Sequence, residues 1–185
     1  MALVGSNPFT IGEQAPDFTL LDTVSDQDLS LTNLKGSQGT AIFFICNHCP
    51  YVVHINHGLV QMANEYLPKG INFIAISSND VRHYPQDGPD RMKQVAAQLQ
   101  YPFPYLYDET QEVAKAYNAS CTPDLYLFDA ELKAVYHGQF DDSRPRNGVP
   151  VSGHDFQRAM DYLLKGEANP HQQHPSVGCS IKWKR

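Results

Sequence analysis

The sequence predicts an α/β fold in which a central mixed β-sheet is flanked by helices and preceded by an N-terminal β extension. Two apolar runs of strand length, 40–45 and 71–78, enclose a segment whose apolar residues recur at helical spacing. This β-α-β unit predicts two parallel strands joined by a crossover helix. Two later runs, 124–128 and 132–137, flank a short polar turn and predict an antiparallel hairpin, which makes the sheet mixed.

Length and composition predict one domain. The chain has 185 residues, of which 42% are hydrophobic and 18% are charged, as expected for a soluble globular protein. We expect a single domain over 1–185, with its core at about 12–166 and a C-terminal tail at 167–185. The formal charge of −6 gives no overall basic field to hold a polyanion, which argues against nucleic acid as a partner.

The elements at the start of the chain follow from alternation and from cap residues. Alternating apolar residues around Phe18 and Leu20, and again at 29–31, predict a hairpin or two edge strands. Pro50 is expected to open the crossover helix, because proline is well tolerated at the first helical position. Gly70 is expected to end it.

Three more helices are predicted in the second half of the chain. They lie at 90–100, at 110–118 with Asn118 as a left-handed cap, and from Ser152 onward, where Asp155 completes a capping signal.

The remaining segments are predicted to lie at the surface. Tyr105-Leu106-Tyr107 follows two prolines and is expected at a sheet edge. The polar stretch 141–151 predicts a surface loop. The tail at 167–185 is expected either to wander or to pack back on the domain.

Two cysteines three positions apart, Cys46 and Cys49, directly follow the first core strand. If Pro50 opens the helix, both sulfurs are expected in its first turn, where free N–H groups and the helix dipole stabilise a thiolate. His48 lies between them as a candidate modifier. The pair indicates either disulfide exchange or a structural metal pair, and the absence of a second C-x-x-C favours redox chemistry.

The four cysteines also bear on the compartment. The N-terminus shows no basic cluster and no long apolar segment, so we expect neither an export signal nor a membrane anchor, and a cytoplasmic location. In that reducing compartment cysteines are more often catalytic or metal-binding than disulfide-bonded, whereas a secreted chain could form two disulfides. Cys121 and Cys179 are expected to be structural, although Cys179 could pair with Cys121 or Cys46 if the tail folds back.

The chain resembles the thioredoxin superfamily from about Gly12 to Gly166. Three features carry the resemblance: Cys46-x-x-Cys49 at a strand-to-helix junction, Thr122-Pro123 directly before a strand, and the Ala15 to Leu20 segment. The last is similar to the opening of the peroxiredoxin-like branch that includes alkyl hydroperoxide reductase and thiol-specific antioxidant proteins. The resemblance implies a thioredoxin-like fold and a cis proline at Pro123 that faces the cysteines, presents backbone to an extended peptide and keeps metal away from the thiols.

Within that superfamily the chain resembles a peroxiredoxin-like group with an Asn-His-Cys-Pro-Tyr core and a Gly-Cys-Ser-Ile-Lys-Trp ending, here 47–51 and 178–183. It departs from true peroxiredoxins, which place a threonine three before the peroxidatic cysteine and a proline four earlier still. Aligned on either cysteine, both residues are absent here. Ile45 also stands where thioredoxins usually have tryptophan.

The resemblance implies roles for the site residues. Cys46 is expected to be the exposed, attacking thiolate with a lowered pKa, and Cys49 the resolving thiol. A histidine just before the second cysteine also occurs in protein disulfide isomerases, which implies that His48 stabilises the thiolate. The supporting residues are then His48, Pro50, Thr122 and Pro123.

These features predict a thiol-disulfide oxidoreductase that acts through Cys46 and Cys49 on a protein or small-molecule disulfide, with a thiol reductant system as partner. A thiol peroxidase is the first alternative. The second is a non-enzymatic metal-binding or redox-sensing module, which could include His54 and His57. We expect no cofactor, no bound metal and no membrane partner, and the sequence does not predict an oligomeric state.

Overall fold

The structure is a computed structural model and describes residues 3–184; Met1, Ala2 and Arg185, which fall within the predicted domain, lie outside the described residues. Ten strands and five α-helices are found in the described part of the chain. The strands are β1 (Leu3–Gly5), β2 (Thr19–Asp22), β3 (Gln27–Ser30), β4 (Gly39–Phe44), β5 (Ile71–Ser77), β6 (Tyr105–Tyr107), β7 (Cys121–Thr122), β8 (Asp124–Asp129), β9 (Ala134–Gly138) and β10 (Val177–Ser180). The helices are α1 (Leu31–Leu34), α2 (Pro50–Tyr66), α3 (Pro89–Leu99), α4 (Glu112–Ala116) and α5 (His154–Lys165).

The main sheet has seven strands in the order β3-β2-β6-β5-β4-β8-β9. β4 lies near its centre, parallel to β5 and antiparallel to β8, so the predicted mixed sheet is confirmed. Every residue of β4 is buried, because helices and loops cover both faces of the sheet. This continuous apolar strand leads straight into the cysteine pair.

Three of the predicted elements differ from the structure in position or length. The segment at 105–107 was predicted at an edge, but β6 lies inside the sheet between β2 and β5, because its two prolines precede the strand and leave its ladder intact. α4 is shorter than predicted, although Asn118 does adopt the left-handed conformation at φ 55°. α5 begins after Gly153 rather than Ser152, since the Asp155 side chain is buried against Gln139 and Arg158 and does not complete a capping box.

A second, three-stranded sheet has the order β1-β10-β7. It joins the two ends of the chain to the segment before Pro123: Gly5 pairs with Val177, and Cys179 pairs with Thr122. The last part of the tail therefore packs back on the domain, which is one of the two predicted outcomes. Among residues 3–184, no helix is long and apolar enough to cross a membrane.

Candidate active site

The cysteine pair lies at the junction of β4 and α2, as predicted. Its position relative to the helix differs from the prediction: α2 begins at Pro50, Cys49 is its N-cap residue, and Cys46 lies in the turn before the helix. The expectation that both sulfurs occupy the first helical turn was therefore wrong. Proline prefers the first helical position, which leaves Cys49 alone at the helix end.

Both cysteines are buried, with 2% of Cys46 and 0% of Cys49 exposed. The expectation of an exposed Cys46 was wrong. The loop before β8 covers the pair on one side, and the segment 79–88 covers it on the other.

The Thr122–Pro123 peptide bond is cis, as the resemblance implied. Its backbone and side chain both face the cysteines. The Cys49 sulfur lies 3.1 Å from the Thr122 carbonyl oxygen, to which it can donate only while it is protonated, and the Thr122 hydroxyl lies 3.5 Å from the Cys46 sulfur. One residue of the cis-proline loop thus contacts both sulfurs.

A buried carboxylate, Asp87, holds the turn that contains Cys46. It accepts hydrogen bonds from the Asn47 backbone N–H at 2.9 Å, from the Asn79 side chain at 2.8 Å, and from the His48 ring at 2.6 Å. Its side chain is fully buried, so these donors replace the water that a carboxylate otherwise requires.

His48 is turned toward this carboxylate rather than acting on the thiol alone. Its Nδ1 atom lies 2.6 Å from Asp87 and 4.0 Å from the Cys46 sulfur, and its ring stacks on Tyr84. A nitrogen that donates its proton to Asp87 cannot also accept one from Cys46. The arrangement therefore orients His48 and does not make it the base for Cys46.

The two thiols have opposite electrostatic surroundings. The pKa of Cys49 is lowered to about 5, because its thiolate accepts hydrogen bonds from the Cys46 thiol and also from Cys179, Thr122 and the Val52 backbone N–H, which outweigh its burial. The pKa of Cys46 is raised, first by the hydrogen bond that its thiol gives to Cys49, then by burial and by the charge of Asp87. The direction at Cys46 is opposite to the expected lowering of its pKa, and the surroundings favour the thiolate at Cys49.

The other two cysteines also lie at this site. Cys179, on β10, has a pKa raised to about 12, first by burial and then by its interaction with Cys49. Cys121 precedes Thr122, is fully buried, and has a pKa raised by burial. Its sulfur lies 3.7 Å from the Pro123 carbonyl oxygen.

Three of these groups could hold a metal ion. One ligand atom from each of Cys46, His48 and Asp87 lies within 4.8 Å of the others. His54 and His57 are not part of this group, and His54 instead contacts the Ser143 hydroxyl at 3.1 Å.

Sequence reasoning missed Asp87 and undervalued Cys179. Asp87 lies in a segment read only as a Pro, Gly and Asp-rich loop, and nothing in that composition distinguishes one aspartate from its neighbours. Cys179 did carry a signal, the Gly-Cys-Ser-Ile-Lys-Trp ending. That motif does not indicate which part of the chain the segment packs against.

Comparisons with known proteins agree with this geometry. The family model described as AhpC/TSA family matches residues 11–137. An uncharacterized conserved protein from Geobacillus kaustophilus is 57% identical with a TM-score of 0.98, covering 100% of this chain and 97% of that one. A hypothetical protein from Sinorhizobium meliloti is 44% identical with a TM-score of 0.95, covering 97% of this chain and 98% of that one. No curated protein matches.

A more distant solved structure confirms the predicted thioredoxin-like fold. The thioredoxin domain of a thiol-disulfide oxidoreductase from Bacteroides vulgatus is 20% identical with a TM-score of 0.61, over 73% of this chain and 92% of that one. Because the family model spans more than half of the chain, the family is established. The protein belongs to the AhpC/TSA family, a peroxiredoxin-like branch of the thioredoxin superfamily whose chemistry is thiol-based redox.

Proposed function

We propose that the protein is a thiol-disulfide oxidoreductase whose Cys46 and Cys49 cycle between dithiol and disulfide. The observation that carries the proposal is the position of Cys49 at the start of α2, where its pKa is lowered, with the Cys46 thiol three positions away and the cis Thr122–Pro123 loop opposite. A thiolate is the form of cysteine that attacks disulfides, and its neighbour supplies the resolving thiol.

The electrostatics favour Cys49 as the attacking sulfur. Its thiolate attacks one sulfur of the substrate disulfide, forms a mixed disulfide and releases the first substrate thiol. Cys46 then attacks Cys49, which forms the Cys46–Cys49 disulfide and releases the second thiol. The two electrons of the dithiol pass to the substrate. Cys46 supplies one proton to the released thiols, and water supplies the second, because Cys49 reacts as its thiolate. A thiol reductant, as the cytoplasm that we propose for this protein would supply, regenerates the dithiol.

The test is a single turnover against dithiobis(nitrobenzoate), an aromatic disulfide that releases a coloured thiol. We expect the initial rate to fall about tenfold or more in Cys49→Ser, because the thiolate is lost, and to fall much less in Cys46→Ser. Cys121→Ser is the matched control, since Cys121 is equally buried. Equal rates in Cys49→Ser and the wild type would contradict the proposal.

A thiol peroxidase is the second candidate, and membership of the AhpC/TSA family favours it. In that reaction peroxide oxidises Cys49 to a sulfenic acid, and Cys46 displaces water to form the same disulfide. Mixing the reduced protein with stoichiometric hydrogen peroxide separates the two functions. Rapid disulfide formation at low peroxide would make the protein a peroxidase, whereas slow oxidation supports disulfide exchange.

A third possibility is metal binding, since Cys46, His48 and Asp87 lie close enough to share an ion. It is tested by measuring the metal content of the purified protein. We expect substoichiometric zinc and copper in the purified protein. Stoichiometric metal that is lost in a Cys46→Ser, Cys49→Ser variant would replace the redox proposal with a metal-binding one.

A further inference from the structure

Cys179 lies on the strand that pairs with the cis-proline loop. In the β10–β7 pair, Cys179 is directly opposite Thr122, and Ser180 is opposite Cys121. Residues directly opposite in an antiparallel pair project to the same face of the sheet. The Thr122 hydroxyl lies 3.5 Å from the Cys46 sulfur, so the Cys179 side chain shares the face that looks onto the cysteine pair.

Contacts at Cys49 agree with this placement. The Cys49 sulfur lies 3.1 Å from the carbonyl oxygen of Thr122, the residue that pairs with Cys179. Among the three sulfurs, Cys49 is the one whose pKa both Cys46 and Cys179 affect, and we call it the central sulfur. Cys121 does not belong to this set, because its sulfur lies against the Pro123 carbonyl.

The strand is fitted closely against the loop. A Cβ atom at Gly178 would lie 2.0 Å from the Thr122 carbonyl oxygen, so only glycine allows β10 to come this near. The residues that follow are fixed as well: the Ile181 N–H donates to the Ser120 carbonyl at 2.9 Å, and the Lys182 N–H donates to the Asn79 side chain at 2.8 Å. We name residues 177–184 the tail strap.

We propose that Cys179 is a third redox-active thiol, which exchanges with the Cys46–Cys49 disulfide and takes Cys49 as its own partner. The inference rests on the proposed function, which supplies that disulfide. The Cys179 thiolate attacks the Cys49 sulfur, the Cys46–Cys49 bond breaks, and the Cys49–Cys179 bond forms. Cys46 leaves as a thiolate and takes the proton that Cys179 has lost, so the exchange is neutral in electrons and protons.

The exchange would move the disulfide from the turn before α2 to the tail strap. Cys46 is then a free thiol again, while the oxidised bond lies on a terminal segment of the chain. Two equivalents of an external thiol reduce the Cys49–Cys179 bond and restore the three thiols.

Trypsin separates the possible disulfides. Cys46 and Cys49 share the peptide 36–69, Cys121 lies in 116–133, and Cys179 lies in 166–182. A Cys46–Cys49 bond stays within one peptide, whereas a bond to Cys179 links two. The full chain is equilibrated in glutathione redox buffers, acid-quenched, alkylated and digested, and the peptides are measured by mass spectrometry.

We expect the wild type to give both the internal disulfide and the 36–69/166–182 linked peptide. In Cys46→Ser the linked peptide becomes the main oxidised product, and in Cys49→Ser it falls by about tenfold or more, because Cys179 reaches only the central sulfur. Cys121→Ser leaves the linked peptide unchanged, and circular dichroism verifies that each variant is folded.

Two results would overturn the inference. Absence of the linked peptide from folded Cys46→Ser, while the wild type forms the internal disulfide, removes the role of Cys179 and leaves the proposed function intact. If the peptide 36–69 were linked to the peptide 116–133, which contains Cys121, as often as to 166–182, the oxidation would be unselective and the inference would fail. A wild type that forms neither disulfide defeats the proposed function itself, so the two failures are distinguishable.

Discussion

The two sides of the cysteine pair differ in the charged and hydrogen-bonding groups that surround each sulfur. On the carboxylate side, formed by Asp87, His48 and Asn79, a buried negative charge lies next to Cys46. On the tail side, formed by Thr122, Gly178 and Cys179, the side chains of Thr122 and Cys179 lower the pKa of Cys49, together with the Val52 backbone N–H at the start of α2. Like charge disfavours a thiolate and hydrogen-bond donors favour it, so these surroundings favour the thiolate at Cys49 over Cys46.

The two sides of the site have separate roles, which the C-x-x-C motif by itself does not distinguish. The carboxylate side fixes the backbone of the turn through the Asn47 N–H, and it does so with a charge that makes Cys46 a poor thiolate. The tail side supports the thiolate and brings a third thiol to it. A C-x-x-C sequence does not show which sulfur is charged, because that depends on residues far away in the chain.

The largest effect is expected from removing the carboxylate side with Asp87→Ala. The variant leaves the half-buried Asn47 N–H and the buried Asn79 amide without an acceptor, which costs about 3 kcal/mol in the free energy of unfolding. Urea denaturation measures the loss. Asp90→Ala is the matched control, because Asp90 lies in the next helix and is exposed, and its loss should stay below about 1 kcal/mol. Equal losses in both variants would show that Asp87 does not hold the turn.

A smaller loss is expected on the tail side from Gly178→Ala. The added Cβ meets the Thr122 carbonyl oxygen at 2.0 Å, so β10 must shift, at about 2 kcal/mol. Alkylation of the site thiols should become faster as the strap loosens. Gly5→Ala tests the same sheet without a clash, since its nearest neighbour, the Ser176 carbonyl oxygen, lies 3.7 Å away. If Gly5→Ala loosened the thiols equally, the fit at Gly178 would not be the cause.

The pH dependence tests the charge assignment. The folded chain carries the Cys49 thiolate above pH about 5, while the unfolded chain keeps that proton up to its ordinary pKa of 9.0. The folded state therefore binds fewer protons between these values, so stability due to Cys49 grows as pH rises through this window and is lost as pH falls through the folded pKa. The difference in unfolding free energy between wild type and Cys49→Ser, measured from pH 5 to 9, should rise with pH. A difference that fell with pH would place the thiolate elsewhere.

Much of this fold could be predicted because its signals are local. The run at 40–45 is apolar and β-branched, and the helix start at Pro50 follows from the fixed φ of proline. Proline's preference for the first helical position could also have placed Cys49 at the N-cap. Cys46, three positions before that N-cap, then falls outside the first turn of the helix.

The electrostatics could not be predicted, because they come from contacts between distant segments. Asp87 reaches the Asn47 N–H across 40 positions of sequence, and the cis-proline loop meets Cys179 only through a strand pair near the end of the chain. No periodicity and no turn residue in the sequence indicates either contact. The sequence identifies which thiols are reactive candidates, and tertiary packing decides which of them is ionised.

The smallest effect is expected from His48→Gln, and it sharpens the comparison because the sequence predicts that the helix start and His48 together stabilise the thiolate. The His48 Nδ1 atom lies 2.6 Å from Asp87 and 4.0 Å from Cys46, and a glutamine amide can still donate to the carboxylate. Titration of the thiolate absorbance should therefore show its first step moved by less than about half a pKa unit, below the spread that different environments impose on cysteines. The same step should vanish in Cys49→Ser. A large upward shift in His48→Gln would return thiolate control to the histidine and make the carboxylate side, rather than the tail side, the source of the reactive charge.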